Sequence, residues 1–243
     1  MTSVLEYAIE TYFGRIGLIL LFSISFVIAL AIPIFASLPT YSDIGAIFVR
    51  TGSVFANLNA INTAIIIAAT LFSLLFLSFA IVAINVIVKH KRTQVRIRHE
   101  VLDGIEKYTG RVFMILLLFT FILSVVNLLT YSTGYSGLAT AIAGIVFIPL
   151  FFYAPSSIVI DERGMIRAMR ASAAYLFKRL DYFLMWLALA IVIISFFDFI
   201  FIIVSGTLIS RYAMLVFDSL FVLPFLIVLQ SQMYMKRFAL LKR

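Results

Sequence analysis

The sequence predicts an all-α integral membrane protein of six transmembrane helices, and three observations carry that prediction. The chain of 243 residues is 64% hydrophobic and only 12% charged, more apolar surface than a water-soluble chain of this size can hide. Six apolar runs (16–38, 62–88, 112–131, 137–158, 182–206 and 211–235) each supply the roughly 20 helical residues needed to cross a hydrocarbon core of about 30 Å. None alternates with the period of two that marks a transmembrane barrel strand.

The first run follows Glu6 and Glu10 rather than a basic flank, and it is too long for a cleavable leader. Its approach is repeated later in the chain. Ile-Glu-Thr-Tyr-Phe-Gly-Arg at 9–15 is echoed by Ile-Glu-Lys-Tyr-Thr-Gly-Arg at 105–111, and eight of thirteen positions are identical between 9–21 and 105–117. Val4, Leu5, Ala8, Ile9 and Tyr12 share one helical face ahead of the first run. Val101, Leu102, Ile105 and Tyr108 do so ahead of the third, opposed by Glu100, Asp103, Glu106 and Lys107. Met165, Ile166, Met169, Ala173, Leu176 and Phe177 form a third such stripe ahead of the fifth, with Arg163, Arg167 and Arg170 elsewhere on the helix. Such segments are expected to lie along the membrane interface as elbows. Arg15, Arg111 and Arg179 then mark equivalent entrances to the odd-numbered spans, where a guanidinium can snorkel to phosphate.

The expected organisation is a single membrane domain of three parallel units, 1–92, 93–160 and 161–243, each an amphipathic elbow followed by a helical hairpin. The first unit closes through a long connection over 39–59, rich in Gly, Ser, Thr and Asn. The other two close through short turns near 132–134 and 207–210. Pro33, Pro149, Pro155 and Pro224 fall inside spans and are expected to kink them.

Charge sets the orientation. With the N-terminus in the cytoplasm, seventeen of the nineteen Lys and Arg residues lie on that side and only Arg50 and Arg211 lie opposite. The positive-inside rule therefore places both termini in the cytoplasm and the chain in the cell membrane. The cluster Lys89, Lys91, Arg92, Arg96 and Arg98 has two readings. It orients the helices against anionic headgroups of the bilayer, or it docks a lipid head group or a protein partner. No nucleic-acid-binding module surrounds these residues.

The segment 154–187, APSSIVIDERGMIRAMRASAAYLFKRLDYFLMWL, resembles the recurring stretch of a membrane-domain superfamily associated with glycerophosphoryl diester phosphodiesterases and related prokaryotic six-helix membrane proteins. The residues that carry the resemblance are Pro155, Asp161/Glu162, Gly164, Ala168, Ser172 and the group Tyr182, Phe183 and Trp186. It covers about thirty-four residues and implies the six-helix fold. It brings no hydrolytic activity, because the soluble phosphodiesterase domain and its Glu/Asp/His cluster are missing from this chain.

Chemistry-bearing residues are few. There is no cysteine, no P-loop, and no histidine near Ser156, Ser157 or Ser172, so no catalytic residue, metal ligand or cofactor site is expected. Two carboxyls lie within spans, Asp198 on the fifth and Asp218 on the sixth, at equal distance from the turn near 208. They share a depth, with Arg211 at the mouth of their hairpin and Asn127 and Asn62 on spans that start from the same outer side. One reading is an outward-facing polar cavity in which the carboxyls hold a proton or cation. The other is structural: an aspartate pairs with Arg211 or hydrogen-bonds across helices. The expected function is that of a non-enzymatic polytopic membrane protein engaged in transport or lipid handling. The alternative is a scaffold or accessory subunit that docks a partner through the basic loop.

Overall fold

The computed structural model describes residues 2–36, 40–43, 46–49, 59–93 and 97–236, with side chains over 4–36, 59–90, 102–203 and 212–236. All six spans form as helices, within Ile16–Phe35, Ala60–His90, Leu102–Thr133, Ser136–Ile160, Leu180–Ile203 and Tyr212–Met235. Their mean hydropathies run from 2.0 to 2.8, so the chain is a multi-pass membrane protein of the all-α class.

A short helix α1 (Thr2–Gly14) meets α2 (Ile16–Phe35) at a break on Arg15, whose φ of −135° leaves the helical region. Val4, Ala8, Thr11 and Tyr12 are buried, while Ile9 and Phe13 stay exposed. Between α2 and the next span, β1 (Thr40–Asp43) pairs antiparallel with β2 (Ala46–Val49), Thr40 opposite Val49 and Asp43 opposite Ala46. The sequence suggests an irregular connection there. Its β-branched and aromatic residues instead pair as a small hairpin.

Helices α3 (Ala60–Thr93) and α4 (Ile97–Thr130) are 34 residues each. At 1.5 Å per residue each is about 51 Å long, well beyond the hydrocarbon core. They pack as an antiparallel pair, and this overturns the expectation of an elbow ahead of the third span. The chain continues through Gly110 and Arg111 as helix, with no break there. The physical reason is a partner: α3 extends past the membrane boundary, and Ile105 and Tyr108 bury themselves in the core formed with Val82–Val88 of α3. The approach is close at Gly104, where an added Cβ would stand 2.9 Å from Val86 Cγ2. The stretch read as a basic loop is thus mostly the basic ends of these two helices.

A 3₁₀ turn (Tyr131–Thr133) and Gly134, at φ +73°, lead into α5 (Ser136–Phe151), and α6 (Ala154–Ile160) completes the fourth span after a break. Helix α7 (Met165–Lys178) presents three faces. Ala168, Ala171, Ser172, Tyr175 and Leu176 are buried, Ile166 and Phe177 are exposed and apolar, and Arg167, Arg170 and Lys178 occupy the third side. The expected stripe is therefore divided: Leu176 is buried and Met165 and Met169 pack against the core, beside Ala168, Ala171, Ser172 and Tyr175, while Ile166 and Phe177 face outward.

Helix α8 spans Leu180–Phe217, yet it doubles back. Sixteen residues of straight helix would separate Phe201 from Phe217 by about 24 Å, whereas their rings stand 5.5 Å apart. Phe197 and Phe217 approach to 4.5 Å, so the hairpin turns near 208 as expected. A π-helical segment, Asp218–Val222, then feeds α9 (Leu223–Met235). Pro224 has no N–H to give to the preceding turn, and the ladder widens just ahead of it: the Leu223 N–H reaches the Asp218 carbonyl five residues back. Half of the sixth span is buried (50%), against 6% of the fifth. α9 is the hub, packed against α1, α3, α6 and α8.

Candidate functional site

Two polar regions stand out in this apolar bundle. The first is the intramembrane pair. Asp218 opens the π segment and is buried, at 8% exposure. Asp198 stands half-buried on the facing arm of the same hairpin, in α8. The widened turn is held from outside: the Tyr12 hydroxyl donates to the Phe221 carbonyl at 3.2 Å, and Trp186 Nε1 donates to the Leu226 carbonyl at 2.8 Å. Ser219 donates back to the Leu215 carbonyl.

The other residues grouped with this pair in the sequence are distributed elsewhere. Asn127 is buried between α4 and α5, its Nδ2 donating to Thr140 Oγ1 at 3.1 Å. Asn62 sits exposed in the first turn of α3, where its backbone N–H is capped by Asn59 Oδ1 at 2.7 Å. The Arg211 side chain lies outside the described residues.

The second region lies at the basic end of the bundle, around the break in the fourth span. Pro155 supplies no N–H to the Phe151 carbonyl, and the helix parts at Phe152 and Tyr153. Ser172 of α7 inserts into the opened ladder. Its hydroxyl accepts the Tyr153 N–H at 2.9 Å and donates to the Pro149 carbonyl at 2.7 Å, bridging a pair that would bond directly in an unbroken helix. Gln230 of α9 donates to the freed Phe152 carbonyl. Below the break, Tyr153, Tyr175 and Tyr234 pack with ring centroids 5.0 to 5.8 Å apart. The Tyr175 hydroxyl donates to the Met233 carbonyl, and Tyr234 donates to Asp161 Oδ2 at 2.7 Å. Burial raises the Tyr175 phenol well above its ordinary range.

Asp161 also receives Arg163 Nε at 3.0 Å. Its neighbour Glu162 adopts φ +55°, the left-handed region that favours glycine, and so stops α6. This strained position bridges two helices: Glu162 Oε2 takes Lys107 at 2.7 Å and Oε1 takes Lys89 at 2.9 Å. The Lys107 and Lys89 ammonium groups hold its carboxyl down to about 2. Lys89 gives a further hydrogen bond to the Val159 carbonyl at 3.0 Å. One member of the expected docking cluster is therefore engaged inside the protein. The side chains of Lys91, Arg92, Arg96 and Arg98 lie outside the described residues.

Of the three span-entrance arginines, Arg15 and Arg179 sit at true helix breaks and Arg111 sits within continuous helix. The sequence reading passed over a polar run at the end of the last span. Ser231 donates to Asn85 Oδ1 at 2.8 Å, and Gln232 donates to Thr11 Oγ1 at 3.1 Å, all four side chains buried. The run Gln230-Ser231-Gln232, following ten apolar or proline positions, was the available signal. Comparison with known proteins returns no matching family model, curated protein or solved structure.

Proposed function

We propose that this multi-pass membrane protein is a non-enzymatic, permease-like transport protein in which Asp198 and Asp218 hold a proton or a cation at mid-depth. One observation carries the reading: a buried carboxyl, Asp218, opens a π-widened turn on one arm of a hairpin whose other arm carries a second intramembrane carboxyl, Asp198. An acid at the centre of a span costs about 2.5–3.5 kcal/mol on insertion scales, so two together are an expensive arrangement for a purely structural purpose. A π segment is frequently placed where a helix does chemistry or binds an ion. The charge bias supports a cytoplasmic basic end, with the hairpin turn between the fifth and sixth spans on the opposite side.

The test is proton flux into proteoliposomes that enclose a pH-sensitive dye, driven by an imposed gradient with potassium clamped. The expected result is flux with the wild type and a loss of at least about tenfold with Asp198→Asn or Asp218→Asn, because an amide cannot take up or release the proton at the pH of the assay. Equal rates for the wild type and both variants would make the pair structural. The lipid-handling version is favoured by the resemblance of 154–187 to six-helix membrane domains, and by a basic groove between α7, α8 and the end of α9.

A further inference from the structure

A groove of about 470 Å³ opens at the basic end between α7, α8 and the end of α9. Small-molecule sites commonly occupy about 300–1,000 Å³. Its walls carry four cations, Arg163, Lys178, Arg179 and Lys236, together with Tyr175 and Tyr182, and Ala171 and Ala174 keep its floor low. The cations come from three separate parts of the chain, and the fold gathers them.

Two of them share one ring. Arg179 Cζ stands 5.3 Å and Lys236 Nζ 5.4 Å from the centroid of Tyr182. A cation–π contact is worth about 0.5–1 kcal/mol at exposed sites, which does not remove the repulsion between neighbouring positive charges. A counter-charge is needed. Among the described residues no carboxylate forms an ion pair with Lys178, Arg179 or Lys236. Asp161, two residues before Arg163, is already taken by Tyr234 and Arg163, and Asp181, next to Tyr182, forms no ion pair with these cations among the described residues. That contact uses the Nε edge of Arg163 and fixes the plane of its guanidinium. Behind the wall, the hydroxyl of the fully buried Tyr153 has no hydrogen-bond partner among the described residues. Its ring lies 5.0 Å from that of Tyr175.

Depth selects the ligand class. Arg179 immediately precedes Leu180, where the fifth span begins, and Lys236 immediately follows Met235, where the sixth ends. The groove therefore lies at the level of the phospholipid headgroups. Planar guanidinium forks beside mobile ammonium groups suit the oxygens of a phosphate better than a single carboxylate.

We infer that this groove is a binding site for a phosphate group, of an anionic phospholipid headgroup or of a free phosphate compound. The site goes beyond the transport reading and shares no residue with the Asp198/Asp218 pair.

The test is native mass spectrometry of the full chain in detergent, titrated with phosphatidylglycerol, phosphatidic acid, phosphatidylcholine and inorganic phosphate. The wild type is expected to retain the anionic lipids over phosphatidylcholine. Arg179→Gln/Lys236→Gln removes two surface cations and should weaken that retention about thirtyfold. Arg15→Gln, at the entrance of the first span and outside the lining of this groove, should leave it unchanged. Ala174→Trp fills the floor with every charge in place and should also abolish retention, and helical circular dichroism checks that each variant is folded. Binding of inorganic phosphate that displaces the lipids would assign the groove to a soluble phosphate compound. Equal retention of all ligands by the wild type, the double variant and Ala174→Trp would overturn the inference.

Discussion

Replacing Ser172 by alanine removes one oxygen from the interior and strands two backbone groups. Ser172 is fully buried, and its hydroxyl is the joint between the Tyr153 N–H and the Pro149 carbonyl. Each backbone group left unsatisfied in a dry site costs about 1–3 kcal/mol. The two could rejoin only if the kink straightened, which Pro155 and the Gln230 contact oppose. The expected destabilisation is therefore about 2–4 kcal/mol, larger than the roughly 0.6 kcal/mol typical of a side-chain hydrogen bond between membrane helices. The assay is reversible unfolding in mixed detergent micelles, followed by helical circular dichroism. Ser156→Ala and Ser157→Ala are the internal comparison. Both serines are fully buried, but their hydroxyls have no hydrogen-bond partner among the described residues, so neither substitution should destabilise, and each should stabilise by up to about 1–3 kcal/mol by removing an unsatisfied polar group. A Ser172→Ala effect no larger than theirs would refute the account of the break.

Three further outcomes follow from contacts at the same end of the bundle. Glu162 has its carboxyl held at about 2 by Lys107 and Lys89, below an unfolded value of about 4.3. Its tie to α3 and α4 is thus fully present above that value and lost as pH falls toward 2, so amide protection in those helix ends should drop over this window, and Glu162→Gln should remove the dependence. Gly104→Ala should destabilise by about 1–2 kcal/mol, because the clash with Val86 outweighs the gain of about 1 kcal/mol in helix propensity; Val86→Ala should rescue it in a double-mutant cycle. Tyr234→Phe takes a donor from the Asp161 carboxylate, whose side chain is only 5% exposed, and should cost about 1.5–3 kcal/mol in the same unfolding assay.

The spans were legible because twenty consecutive apolar residues admit few alternatives, and the turn near 208 followed from the interruption in them. Letters alone misled at the second elbow. Tyr12-Phe13-Gly14-Arg15 breaks and Tyr108-Thr109-Gly110-Arg111 does not, because only the second has a long neighbouring helix beside it. Helix α7 shows a related limit: hydrophobicity points to Ile166 and Phe177, while protein contact goes through Ala168, Ala171 and Ser172, whose value is their small size. The depth of Asp198 and Asp218 could be counted along the chain, but their azimuth depended on how the hairpin twists. Ser172 as a splice across a broken span left no trace in pattern or spacing, since its partners are backbone groups 19 and 23 residues away.

The burial of the sixth span also ties distant parts of the sequence to one another. That span is the most enclosed of the six, and Thr11 of α1 meets Gln232 of α9 across 221 residues of chain. Asn85 and Thr11 gain these partners, Ser231 and Gln232, only once 212–235 is seated. Closing this bundle is therefore a long-range step, and a fault in seating 212–235 would leave polar side chains facing lipid on helices far away in the chain.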